Sequence, residues 1–489
     1  MSKPNTPVIV GIAQTEQRIT EPSAGKEPID MMVDAVRDAA DDAGSLALLA
    51  GVESVRVIRG VWPYKQPARY VAEQIGVHGA ETVGTPFGGN MVQSVVNETA
   101  MEILQGEKSL VVITGAENGN SQAKARKLGV ELSVTETSGP YSRMIGDDKS
   151  MSSEPELARG IRAPIQLYPI FENALRYQRG ESLEEHLIRI SELWEGFSTV
   201  AATNPHAWIK EPVSALAIRT PSANNRMISF PYPKLMNSNN AVDMGAALIM
   251  CSVEKAKSLG IPEDKWVYPW AGTDAHDHFM VSDRDNLYSS PAIRIAGTRV
   301  LEMTGLSVSD LEYIDVYSCF PSAVQVAINE LSLPEDRPLT VTGGLTFGGG
   351  PLNNYVMHSI ARMVELLRQD RGKRGLVTAN GGYLTKHAFG VYSGEPPPAD
   401  FRHQNVQKEV DATPSRHSVI DYDGEVTIES YTVMYAQEGP SIAHAACLVD
   451  DGSRTWANTN DRDVMKSMVR EEYCGRRARI DGKGNLTIL

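Results

Sequence analysis

Apolar and polar positions alternate along the chain with two periods, and the switches between them mark its elements. "TPVIVGIAQT", residues 6–15, is a near-continuous apolar run of strand length and reads as a buried strand. "EPIDMMVDAVRDAADDAG", residues 27–44, spaces its apolar side chains at helical intervals and predicts an amphipathic helix ending at Gly44. Residues 88–118, "GGNMVQSVVNETAMEILQGEKSLVVITGAEN", begin with glycines, continue as a helix, turn at Gly106-Glu107-Lys108 and finish as a strand. Residues 343–382 repeat that plan: a glycine loop from Gly343 to Gly350, a helix from Tyr355 to Leu367, a turn from Asp370 to Lys373 and the strand "GLVTANGG". Two such units imply a duplicated α/β fold. "AVDMGAALIMCSVEKAKSLG", residues 241–260, reads as helix, strand and helix, and "DLEYIDVYSCFPSAVQVAINEL", residues 310–331, as strand, turn and helix.

The remaining segments divide the chain. A long polar insertion, residues 119–236, separates the first unit from its return segment at 237–264, and inserted segments of this length often cover an active site. The second half then covers 265–400 and ends at "SGEPPPADF", a proline linker. Residues 410–489 change character: short alternating strands broken by Gly, Asp and Asn turns, with one helical stretch near "DRDVMKSMVREEYCG", the pattern of a small β-barrel.

Composition narrows the classes. The 489 residues carry a net charge of −14 and 42% hydrophobic side chains, which fits a globular protein and disfavours nucleic acid or anionic membrane as a partner. No apolar run is long enough to cross a bilayer, and the early strand leaves no room for a signal peptide, so a cytoplasmic location is expected. Cys251, Cys319, Cys447 and Cys474 show no metal-ligand spacing and read as reduced thiols. Glycine concentrates where backbone bends sharply or is closely approached, which makes the 343–350 loop a candidate ligand contact. It lacks the Gly-Lys-Ser/Thr ending of a P-loop and the spacing of a dinucleotide fingerprint.

Taken in order, "NPHAWIK", "NRMISFPYPKL", "AVDMGAALIM", "VYSCF", "GGLTFGGGPLNN" and "TANGG" give residues 1–395 a resemblance to the thiolase superfamily, nearest its sterol-carrier-protein-type branch. The resemblance implies two βαβαβαββ halves in a five-layer αβαβα sandwich, with an inserted loop domain that contacts coenzyme A (CoA). The terminal segment resembles the small OB-like modules that partner thiolase-type enzymes. It also implies CoA or acyl-CoA as ligand, with no covalently bound cofactor and no metal. Thiolases place a cysteine at a helix amino end, a histidine beside it, a second base and oxyanion donors. Aligned on those motifs, Asn90 stands where the nucleophilic cysteine belongs. Tyr317 replaces the histidine of a "HDCF" segment, and the asparagine beyond it falls at Ala323. The "GHP" histidine falls at Gly350 and the last cysteine at Ala379. Ordinary condensation or thiolysis is therefore not expected.

The candidate residues follow. Tyr317 is weighed as an acid/base group against pocket lining, and Cys319 as a nucleophile against a packed thiol. His387, with Lys386, is weighed as a general acid or base against a solvent-facing or backbone-satisfied group. His358 reads as packing, and His206 with Trp208 as channel lining or loop-domain core. Gly349, Gly350, Arg226, Lys234 and His206 are expected at the CoA site, with Arg159, Arg162, Arg219 and Lys210 as further sources of a phosphate clamp. The expected function is CoA or acyl-CoA binding in lipid or steroid metabolism. Acyl transfer or retro-aldol cleavage with Tyr317 as base is one alternative, and a non-catalytic scaffold another. Whether the chain is an enzyme stays open. The resemblance implies a homodimer, or a monomer if the terminal domain covers the pairing face.

Overall fold

The computed structural model describes residues 3–489. The first half runs β1 (Pro7–Glu16), α1 (Pro28–Asp42), β2 (Ser54–Val57), α2 (Pro67–Gln74), β3 (Glu81–Gly84), α3 (Met91–Gln105) and β4 (Leu110–Asn118). The insertion adds α4 (Gly119–Leu128), β5 (Arg143–Met144), α5 (Glu154–Ala158), α6 (Pro164–Arg179), α7 (Leu183–Thr203), α8 (Ala215–Arg219), β6 (Met227–Ser229) and β7 (Tyr232–Pro233). The chain returns through β8 (Asp243–Ser252) and α9 (Val253–Ser258). The second half runs β9 (Tyr268–His276), α10 (Pro291–Thr304), β10 (Tyr313–Asp315), α11 (Pro321–Leu331), α12 (Tyr355–Gln369), β11 (Arg374–Gly381), β12 (Lys386–Ser393), β13 (Arg402–Asn405) and α13 (Gln407–Asp411).

The sheet registers bear out the duplication. In the first sheet β2 lies parallel to β4, β4 antiparallel to β8, and β8 antiparallel to β1. In the second, β10, β11, β12 and β9 repeat those relations in the same order. The helices α3 and α12 pack between the sheets, with α1 outside the first and α10 outside the second, which gives the five layers. One expected element is corrected. Residues 241–252 hold no helix; Asp243–Ser252 is a fully buried strand between β1 and β4, where ladder pairing outweighs the helix preference of its alanines and methionines.

The edge of the first sheet is covered. The insertion's β5 pairs in parallel with β3, so the strand that would otherwise be exposed has a partner. The terminal segment forms β14 (Gly424–Ala436), β15 (Gly439–Leu448), β16 (Arg454–Thr459), α14 (Arg462–Met468), β17 (Arg477–Ile480) and β18 (Leu486–Ile488). Its sheet has the order β16-β15-β14-β17-β18 and curls until Asn458 N donates to Gly484 O at 2.9 Å. It carries its own core, including Val426, Tyr431, Met465 and Ile480.

This domain sits on the insertion and the second half, and the β3 edge is covered by β5 instead. β6 adds to β14 through Ser229 and Met434. Arg159 donates to the carbonyls of Trp456, Lys483 and Ile420, and buried Arg454 to those of Val281 and Ser282. Arg159 is thereby committed to domain docking, not to a phosphate.

Candidate functional site

Two clefts meet at the amino end of α3. The first, about 470 Å³, lies between α6 and the loops at the ends of both halves. Phe87, Met151, Ile165, Tyr168, Phe320 and Leu345 give it an apolar, aromatic wall. Tyr168 stacks on Phe320 with ring centres 4.4 Å apart. The local sequence sets this rim. Pro164 starts α6 with its fixed φ, and Gln166 Oε1 accepts from the backbone N–H of Arg162 and Ala163 at 2.9 and 3.0 Å. Arg162 stands exposed at the mouth, and no carboxylate pairs with it among the described residues.

Buried polar groups gather at the inner end. Asn380 Nδ2 donates to Tyr168 Oη at 2.9 Å and approaches Cys319 Sγ at 3.7 Å, while its Oδ1 is buried without a partner. Burial pushes the Cys319 thiol up to about 12, although bonds from Tyr168, backbone N–H groups and Asn380 act in the opposite direction. At neutral pH the sulfur is a thiol, not a thiolate. Burial first, then Cys319, raises the Tyr168 and Tyr317 phenols well above their ordinary value, with Tyr355 adding to the shift at Tyr317. The Tyr317 ring meets Tyr355 edge-on, with centres 5.4 Å apart.

The second cleft, about 440 Å³, opens on the other side of Gly88–Asn90. Asn90, Lys386, His387, Asp274 and His403 line it. His387 is the cross-strand partner of Asn380, and its Nε2 lies 3.5 Å from Asp277 Oδ2, too far for a good hydrogen bond. Burial raises the Asp277 carboxyl, but His387, the Arg284 charge and Ser290 outweigh it and hold Asp277 below its usual range.

Several expected residues lie outside both clefts. Arg226 and Lys234 are exposed at the open end of the β6–β7 hairpin, where Lys234 N donates to Arg226 O at 2.9 Å and Arg226 Nη1 to Met227 O at 3.1 Å. His206 pairs with Glu365 of α12 at 2.9 Å, a contact that fixes the insertion to the second half. Gly349 and Gly350 support the loop from behind. Gly349 has φ +112° and Met244 and Trp208 close over it, while Gly350 N donates to Asn239 O at 3.0 Å. Their neighbours Leu352 and Asn353 reach the first cleft. His358 is buried and meets Gln14 Oε1 at 3.0 Å, as packing. Ala323 and Ala379 line a small interior cavity behind Tyr317. Sequence reasoning missed Tyr168 and Asn380: the first stands in "QLYPI", which has no distinguishing motif, and the second in "TANGG", where attention fell on Ala379.

Paired half-sheets around two central helices, with clefts at the helix ends, define a thiolase fold carrying an additional terminal domain. The family model described as "Thiolase-like protein type 1 additional C-terminal domain" matches residues 405–485. The crystal structure of a monomeric SCP2-thiolase-like protein type 1 from Mycobacterium smegmatis is 32% identical, superposes with a TM-score of 0.86, and is covered over 100% of both chains. The chain belongs to this SCP2-thiolase-like protein type 1 family. An acetyl-CoA acetyltransferase from Methanothermobacter thermautotrophicus is 25% identical over 246 residues, a match spanning 47% of this chain and 61% of that relative. A solved Ltp2-ChsH2(DUF35) aldolase shares the fold at 22% identity and TM-score 0.59, covering 79% of this chain and 98% of its own. No helix among the described residues is long and apolar enough to cross a membrane.

Proposed function

We propose that the first cleft binds CoA or an acyl-CoA, and that thiolase chemistry through a cysteine thiolate and a histidine base is absent. The observation that supports this reading is the cleft itself: an apolar passage of about 470 Å³ with an unpaired Arg162 at its mouth and amide and phenol groups at its inner end. The guanidinium suits a phosphate, the apolar wall suits a pantetheine arm or acyl chain, and Asn380 suits a thioester oxygen. Asn90 stands at the helix end where a thiolase needs its nucleophile, and an amide there cannot be acylated as a thiolate is. Burial keeps Cys319 protonated, which removes the nearest substitute.

Titration calorimetry with CoA, acetyl-CoA and a long-chain acyl-CoA, beside a mass-spectrometric turnover assay, tests the reading. Binding without thiolysis is expected, and Arg162→Glu weakens CoA at least about tenfold, the scale of one lost charge-assisted contact. No affinity for any of the three would leave a scaffold as the better account. Rapid thiolysis by wild-type protein, or restored by Asn90→Cys alone, would contradict the loss of chemistry.

A second reading, retro-aldol cleavage of a β-hydroxyacyl-CoA, draws support from the position of Tyr317 on the first cleft. Burial keeps the Tyr317 phenol protonated in the free protein, so a basic role in this reading requires it to lose that proton during the reaction. Release of a ketone or aldehyde, lost on Tyr317→Phe, is its expected signature.

A further inference from the structure

The second cleft contains a lysine in an unusual setting. Lys386 opens β12, and its Nζ donates to the Phe87 carbonyl at 2.7 Å. Among the described residues no carboxylate lies within ion-pair distance of it. Of the nearby acids, Asp274 accepts from Asn97 at 2.9 Å, from His403 at 2.8 Å and from Ser94, Glu98 pairs with Arg143 at 2.9 Å, and Asp148 acts on Lys386 only through its charge, from beyond pairing distance. Asp147 faces Lys149 at 3.9 Å, and His276 lies edge-on to Phe279. Apolar side chains, Met91, Met101, Ile145 and Phe279, form much of the wall.

The amino end of the fifteen-residue helix α3 lies beside the amine. A Cβ placed on Gly88 would stand 2.6 Å from Asn90 Oδ1 and 2.7 Å from Lys386 Nζ, so the two polar atoms flank one point. Asn90 is 7% exposed, lines the cleft, and its Oδ1 has no hydrogen-bond partner. An orphaned acceptor next to a lysine with only a carbonyl partner is a costly arrangement for structure alone.

We propose that Lys386 is an amine nucleophile that condenses with an aldehyde or ketone held in the second cleft, with Asn90 Oδ1 accepting the N–H of the resulting Schiff base. The nitrogen lone pair forms the new C–N bond as the carbonyl π pair moves to oxygen. Both amine hydrogens leave with that oxygen as water, which completes the C=N bond, and one proton from solvent gives the iminium. Burial lowers the Lys386 ammonium from its usual value, with the Asp148 charge opposing, and the positive end of α3 acts in the same direction as burial. Those two effects favour the free amine. They also disfavour the iminium, which is the charge that Asn90 Oδ1 is placed to meet. The proposal shares Asn90 and the α3 end with the proposed thioester site, but it does not depend on CoA binding in the first cleft.

Reductive trapping on the full chain tests the assignment. The folded protein is treated at neutral pH with borohydride and either acetaldehyde or acetone, digested, and its lysines mapped by mass spectrometry. An alkyl adduct at Lys386 is expected to form at least about tenfold faster than at exposed lysines. Lys386→Arg abolishes that adduct, and Asn90→Leu slows it severalfold, with unchanged circular dichroism in both. Labelling spread evenly over exposed lysines, or a Lys386 rate that Asn90→Leu leaves unchanged, overturns the proposal. Should Lys386→Arg fail to fold, the wild-type rate ratio and the Asn90→Leu rate decide.

Discussion

The two loop–helix–strand units share a topology yet anchor their central helices with opposite charges. In the first, Arg56 on β2 is fully buried under α3, where it pairs with Glu102 and donates to Thr99 Oγ1 at 2.8 Å. In the second, Asp315 on β10 occupies the equivalent strand under α12 and accepts from Ser359 at 2.7 Å, Tyr355 at 3.1 Å and the Val341 N–H at 2.9 Å. The helices also reach across to each other's sheet. Asn97 of α3 bonds Asp274 of β9, and His358 of α12 meets Gln14 of β1. The difference teaches that hydrophobic plan and strand order persist through duplication, while buried polar partners are settled separately in each copy.

That comparison can be broken first at its two anchors. Arg56→Ala strands Glu102, leaving Arg143 as its remaining cation at 2.6 Å. A loss of about 3 kcal/mol is expected in urea denaturation. Asp315→Asn costs less, about 1–2 kcal/mol, because the amide keeps an acceptor oxygen in the same place and burial already opposes the carboxylate charge. Equal losses would mean that the sign of the buried charge is irrelevant.

His358 sharpens the cross-sheet contrast through pH. Burial, with His206 second, pulls its imidazole down to about 3. The unfolded chain therefore binds a proton that the folded chain refuses between about 6.5 and about 3. Stability from this group is intact above pH 6.5 and falls as pH drops below it, by roughly 1.4 kcal/mol per pH unit. His358→Gln should flatten that part of the slope in denaturation midpoints taken from pH 7 to pH 5.

The glycine loop of the second unit gives an effect of comparable size. Gly349→Ala forces a side chain to adopt φ +112° with Met244 Sδ 2.5 Å from its Cβ, and a loss of about 1–3 kcal/mol in thermal unfolding is expected. The smallest concerns sulfur. Iodoacetamide should label Cys319 only after unfolding, and Cys319→Ala should cost about 1 kcal/mol. Rapid labelling of the native protein would contradict the thiol held near 12.

Much of the fold was legible in sequence because α1, α3, α12, β1 and β11 each bury one consistent face or run. The strand at 243–252 was not read cleanly, since its alanines and methionines fit either state until β1 and β4 flank it. The site was less legible. Motif spacing pointed to Asn90, Tyr317 and Cys319, which line the two clefts, whereas Arg226 and Lys234 lie exposed outside them and His206 pairs with Glu365, placements that no local pattern records. Tyr168 joins Asn380 across more than two hundred positions of chain, and no local signal records that meeting.

Order, period and turn chemistry along the chain therefore determined the duplicated α/β plan, the insertion and the separate β-rich end, because those follow from which faces must leave water. Tertiary structure alone decided which polar groups are paired, which are orphaned and which titrate abnormally. Those properties depend on neighbours distant in sequence and on the low polarity of the interior that brings them together.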